Sequence, residues 1–232
     1  MSYGFLLNTN FLSILRYLII IGIYIFLFII VSPSLILGNG PGMVLILGGK
    51  IKSDNSKIQI SLDNFYIDST EVTQKQFTYI MGFNKFFFKG DNHPAEQVNW
   101  FKAKAYCQKV GKRLPTEPEW ELAARGGTNT LYFWGNKPDG AFASYGGDYD
   151  LGHHPVGRKK PNPFGLYDTA GNVWEWTSTA INDRNKFSGN TTFKRIVKGG
   201  SFNVSANLVT PSSRMKLTPK SRLFNVGFRC AK

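Results

Sequence analysis

Cysteine, histidine and late acidic residues are all scarce in this chain of 232 residues, with two cysteines, three histidines, and no Asp or Glu after Asp183. Two cysteines exclude a disulfide-dense scaffold. Neither lies in the stretch 201–214, so a dithiol metal or redox centre there is excluded. The adjacent His153 and His154 point to opposite faces if extended and read as a solvated loop pair, while His93, preceding Pro94, reads as structural. There are no internal repeats, and no recognised nucleic-acid module accompanies the net charge of +13. Twenty-four glycines, many in pairs such as Gly126-Gly127 and Gly199-Gly200, argue for a loop-rich fold with few long helices.

What is present begins with an apolar N-terminus. An unbroken apolar run from Tyr17 to Val31 follows Arg16 and ends at Ser32-Pro33-Ser34, before Leu35 to Leu37. A signal core is roughly 7–15 residues and a spanning helix about 20, so residues 1–38 read as a signal sequence or an N-terminal membrane anchor. An N-terminal hydrophobic helix is expected there, and either reading delivers residues 41–232 to the outer face of a membrane. With 42% hydrophobic and 15% aromatic residues, that remainder can bury one good core.

Local patterning sets out the elements. The segments 42–49 and 65–68 read as strands. Thr73 is placed to cap a helix over 74–81, and apolar residues interleaved with lysines predict a second over 100–110, stopped by Gly111. Thr116, Pro118 and Glu119 form the N-terminal signature of a third helix running to about Arg125. Beyond Gly127 the pattern is turns and short strands.

Ordered phrases then carry a resemblance: FYIDSTEVTQKQF (65–77), HPAEQVNW (93–100), GKRLPTEPEWELAARGG (111–127), FGLYDTAGNVWEW (164–176), KGGSF (198–202) and the terminal NVGFRCAK. The chain resembles the formylglycine-generating, sulfatase-modifying-factor family over roughly 41–232. The resemblance implies an α+β fold, a formylglycine-generating-enzyme-like variant of the C-type lectin fold. It is loop-rich, with short antiparallel strands and two or three helices. It also implies a disulfide between Cys107 and Cys230, which an oxidising compartment permits. Calcium is implied at Asp168, Gly171, Val173 and Glu175, through two side chains and two main-chain carbonyls, the oxygen donor set that ion takes. The family's oxidase chemistry uses two cysteines that bind copper(I). Counting from GGS, Val204 and Val209 stand in their places, so no copper is expected and no catalytic residues are assigned.

In the resembling fold the segment after GGS lines a ligand-facing groove, for which Asn203, Ser205, Asn207, Arg214 and Asn225 are the groove residues. The basic C-terminal segment points to an acidic ligand or a protein partner, salt-sensitive in affinity, and not to nucleic acid. The expected function is a non-oxidase binding or assembly module of a membrane-associated complex, with an extracytoplasmic enzyme of the cysteine-free branch as the alternative. The phenylalanine-rich loop 84–90 is either a partner contact or part of the core.

Overall fold

The computed structural model describes residues 42–52, 59–147, 152–184 and 191–232. The apolar segment 1–38, with its expected hydrophobic helix, lies outside the described residues.

Among the described residues three α-helices form where their caps place them. Helix α1 covers Gln74–Met81, and Thr73 opens it with a full capping box: its hydroxyl accepts from the Gln76 N–H at 3.2 Å, and its own N–H donates to Gln76 Oε1 at 2.9 Å. Helix α2 spans Trp100–Lys109, capped by Asn99 through the Lys102 N–H. Helix α3 spans Glu117–Arg125, and Thr116 and Glu119 close the second capping box. It ends at Gly126 in the left-handed conformation, which glycine adopts without a Cβ clash.

The strands are β1 (Met43–Ile46), β2 (Gly49–Lys52), β3 (Gln59–Leu62), β4 (Phe65–Asp68), β5 (Trp174–Arg184), β6 (Thr191–Lys198), β7 (Arg214–Leu217) and β8 (Val226–Gly227). Two antiparallel pairs, β1 with β4 and β2 with β3, stand beside a four-stranded sheet in the order β7-β6-β5-β8. The expected short, antiparallel strands are found, with two departures. Strand β5 is 11 residues long, and β8 pairs with it in parallel, Trp174 opposite Val226 and Glu175 opposite Gly227. The long strand has a register shift between Trp176 and Ala180, where it bonds to the chain entering α3. The Ser178 N–H donates to the Pro115 carbonyl at 2.7 Å, and Thr179 Oγ1 accepts from the Glu117 N–H at 2.8 Å.

The principal core gathers Phe77, Trp100, Tyr106, Trp174, Trp176 and Phe228 around a disulfide joining Cys107 on α2 to Cys230 beyond β8. Buried tryptophans keep their indole donors paired: Trp176 Nε1 donates to the Val98 carbonyl at 2.8 Å and Trp120 Nε1 to Glu175 Oε2 at 2.7 Å. The parallel return of β8 and the disulfide bury the segment Phe228–Ala231, so phrases far apart in sequence meet at one place.

Candidate functional site

That meeting place is the turn 168–175. Asp168 and Asn172 both have left-handed backbones, at φ 55° and 59°, around Gly171 at φ 86°. Gly171 cannot carry a side chain, because a Cβ there would lie 1.7 Å from the Ser144 carbonyl oxygen. The folded turn carries Asp168 and Glu175 inward against Glu71, at the end of β4, and Arg229, just past β8.

Glu175 is held entirely by protein. Arg229 Nε and Nη2 donate to its two carboxylate oxygens at 2.7 Å each, a bidentate pair, and the Trp120 indole adds a third bond. Arg229 also donates to the Tyr167 and Asp68 carbonyls. Burial opposes its charge, but Glu175, Glu71 and Asp168 outweigh that and raise its pKa. Glu71 sits on the other side, with Oε1 accepting from Asn172 Nδ2 at 2.9 Å. Burial, then Asp168 and then Glu175, hold its carboxyl well above the usual range. Asp168 is raised too, by burial, against the lowering effect of the Gly157 N–H that donates to its Oδ2 at 2.6 Å.

Glu71 and Asp168 repel each other electrostatically, and their remaining oxygens, Glu71 Oε2 and Asp168 Oδ1, are buried without hydrogen-bond partners. Three carboxylates against one guanidinium therefore leave an acidic surplus. The residues fit a hard cation in part. Asp168 has a vacant acceptor and Glu71 supplies another, but both Glu175 oxygens already accept from Arg229 and Trp120. Among the described residues no three His, Cys, Asp or Glu side chains converge as a metal cluster, so a cation here would need main-chain carbonyls as well. Nothing in the STEVT phrase marks Glu71 from sequence. Its one signal is an acidic residue between a strand and a capped helix.

The positions expected to line the groove divide into three. Asn225 Nδ2 donates to Asn203 Oδ1 at 3.0 Å and to Ser201 Oγ at 3.3 Å, which brings Asn203 and Asn225 together. Ser205 pairs with Asn207 at 2.5 Å as a separate, exposed unit. Arg214 is elsewhere, with Nε 3.2 Å from Glu117 Oε1, beside buried Lys198, which donates to Glu121 at 3.1 Å. Several of the described C-terminal cations are already engaged within the fold. Lys198, Arg214 and Arg229 are committed to carboxylates, and Arg222 donates to Gln97 and Asn84. Val209 is fully buried with Tyr132, Phe133, Ala143 and Ala170, and half-buried Val204 packs against that cluster. The two positions counted for copper-binding cysteines are thus apolar packing, and no cysteine among the described residues is free.

The expected solvated histidine pair is also corrected. His153 is buried, with its Nδ1 3.0 Å from His93 Nδ1 and its ring edge-on to Phe88. Burial lowers His153 to about 4. Of the loop 84–90, only Phe87 among the three phenylalanines is exposed; Phe86 meets Phe77, and Phe88 meets Phe202. The loop is clamped by buried Glu96, whose Oε1 accepts from the Phe87 and Phe88 N–H groups at 2.5 and 3.0 Å.

Burial pushes Glu96 up to about 8 against those two N–H bonds. The unfolded chain releases this proton near 4.5 and the folded one holds it to about 8, so the folded form binds more protons in that window. Stability from this group therefore falls as pH rises from about 4.5 to about 8. Glu96→Gln keeps an acceptor for both N–H groups and cannot ionise. It is expected to flatten that limb and raise stability at pH 8 by at least ~1 kcal/mol. Chemical unfolding across the pH range measures it, and an unchanged slope contradicts the assignment.

Residues 33–232 match the sulfatase-modifying factor enzyme 1-like domain. The chain is 40% identical over 164 residues to the formylglycine-generating enzyme of Mus musculus, covering 60% of this chain and 44% of that protein. It is 42% identical over 159 residues to the inactive C-alpha-formylglycine-generating enzyme 2 of Bos taurus, covering 60% and 50% respectively. The chain thus spans about half the length of these relatives. Among solved structures it is similar to Treponema denticola variable protein 1, with a TM-score of 0.71 and 28% identity over 82% of this chain and 94% of that one.

Proposed function

Because this chain belongs to the sulfatase-modifying factor enzyme 1-like family, we propose that it is a member without formylglycine-generating oxidase activity, acting as an extracytoplasmic, membrane-associated binding or assembly module. The observation that carries this reading is the apolar packing of Val204 and Val209 at the positions counted for the family's copper-binding cysteines, with both cysteines of the chain spent in the core disulfide. Soft thiolates are what copper(I) requires, and two valines offer no ligand. The buried disulfide fits an oxidising compartment, in keeping with the apolar segment before the domain.

The alternative, an enzyme of the cysteine-free branch, calls for a polar pocket with all five groove residues converging. Only Asn203 and Asn225 meet, and Arg214 is turned to Glu117. The binding reading is therefore preferred. Its test incubates the purified full chain with copper(I), oxygen and a cysteine-containing sulfatase peptide and reads peptide mass. No conversion is expected; loss of the thiol mass in favour of an aldehyde overturns the reading.

We propose calcium at Asp168 with the Gly171 and Val173 carbonyls. Glu71 is a further oxygen donor on that side, and Glu175 remains with Arg229. Calcium would offset the repulsion between the buried Glu71 and Asp168 carboxylates. Adding calcium to chelator-treated protein is expected to raise the unfolding temperature by several degrees at pH 7.5, and Asp168→Asn to abolish the increase. No calcium-dependent increase in the parent chain removes the site.

A further inference from the structure

A second concavity lies away from the turn 168–175 and from the segment after GGS. It is a cavity of about 370 Å³ between α2, the chain entering α3, and strands β5 and β6. Its apolar lining is Trp100 and Leu114, and its charged lining is Lys104, Arg113, Arg195 and Glu119. Arg113 and Glu119 cancel, because Arg113 Nη1 and Nη2 donate to the two Glu119 oxygens at 2.7 and 2.6 Å. Lys104 and Arg195 remain. Both are stationed over the Trp100 ring, with the ammonium 5.3 Å and the guanidinium 3.8 Å from its centroid. Among the described residues neither has a carboxylate partner in an ion pair. Arg195 Nη1 donates to the Ser178 carbonyl at 2.7 Å, and its Nε is buried without an acceptor.

Two cations held against an indole, one with an unmet buried donor, beside a cavity of small-ligand size, make a site rather than a solvated charge pair. Contact with Trp100 and the bond to the Ser178 carbonyl hold the guanidinium in place. A planar acceptor with two oxygens matches that fork better than a spherical anion does. The apolar surface of Trp100 and Leu114 is available to the rest of such a ligand.

We propose that this cavity binds an organic carboxylate carried on a short apolar stem, with Arg195 and Lys104 holding the carboxylate and Trp100 the stem. The acidic ligand expected from the basic C-terminal sequence is thereby assigned to β6 and α2, and not to the post-GGS segment. This site is independent of the binding-module reading.

The carboxylate has two sources, a free small molecule or a glutamate side chain of a protein, and separate probes distinguish them. The full chain in detergent is titrated with benzoate, with its neutral counterpart benzamide, and with an N-acetyl-alanyl-glutamyl-alanine amide peptide. The indole N–H resonance of Trp100, identified by its loss in Trp100→Phe, reports binding. Benzoate is expected to shift it saturably and to bind at least about tenfold more tightly than benzamide. Arg195→Gln is expected to weaken benzoate by about tenfold or more. The exposed Lys104→Gln, which leaves the fold untouched, weakens it by about two- to fivefold, an effect that shrinks with added salt. Saturable binding of benzoate supports a small-molecule source, and saturable binding of the peptide alone supports a side-chain source. Equal binding of benzoate and benzamide, binding unchanged in both variants, or no saturable shift with either carboxylate overturns the proposal.

Discussion

Replacing Cys107 and Cys230 together by alanine is expected to lower the unfolding free energy by about 5 kcal/mol, the chain-entropy value for so long a loop. The bridge spans 123 residues of sequence and so constrains most of the domain in the unfolded state. In the folded state both sulfurs are inaccessible and packed with Phe77, Tyr106 and Phe228. A loss of that size takes away much of what holds a typical domain folded, roughly 5–15 kcal/mol. The double variant should therefore accumulate as unfolded or aggregated protein at physiological temperature. Chemical unfolding of parent and variant in the same detergent measures the difference. A loss below about 1 kcal/mol would mean that the unfolded chain is already constrained in some other way.

Arg229→Met is expected to cost about 3–5 kcal/mol, the range for breaking a buried ion pair from one side. Methionine fills much of the volume, so the loss is electrostatic. Glu175 is left with only the Trp120 bond, and Glu71, Asp168 and Glu175 then face one another without a cation. The pH dependence identifies the cause. With Arg229 gone, the folded carboxyls hold their protons more strongly than the unfolded ones, so the folded form binds more protons and the deficit shrinks as pH falls towards 5. A companion Glu175→Gln exchange in the Arg229→Met background should recover part of the loss, since it removes the unpaired charge while keeping an acceptor for Trp120. A deficit independent of pH and unaffected by Glu175→Gln would assign the loss to packing instead.

Helices and two of their caps were legible because their signals are local. Thr73 and Thr116 each accept from a main-chain N–H three residues on, as their sequence signatures indicate, whereas the Asn99 cap and the left-handed stop at Gly126 were seen only in the structure. The family was legible from ordered phrases, and with it the Cys107–Cys230 pairing. Non-local electrostatics were not legible. Arg229 and Glu175 lie 54 residues apart, and Asn172 and Glu71 lie 101 apart. No spacing rule links them, yet the parallel return of β8 places them at one point. The burial of His153 escaped for the same reason, because its contacts are His93, Phe88 and Phe202 from other loops. A count of basic residues after Asp183 likewise carries no information on which are already paired. Lys198 and Arg214 are held by α3 carboxylates, whereas Arg195 is stacked on an indole.

The most direct measurement is native mass spectrometry of the protein released from its own membrane in mild detergent, with the intact N-terminus read in the same experiment. A binding or assembly module at the membrane predicts a stoichiometric complex in which this chain keeps its apolar N-terminal segment. A lone, processed chain with no partner at any detergent concentration would contradict the account.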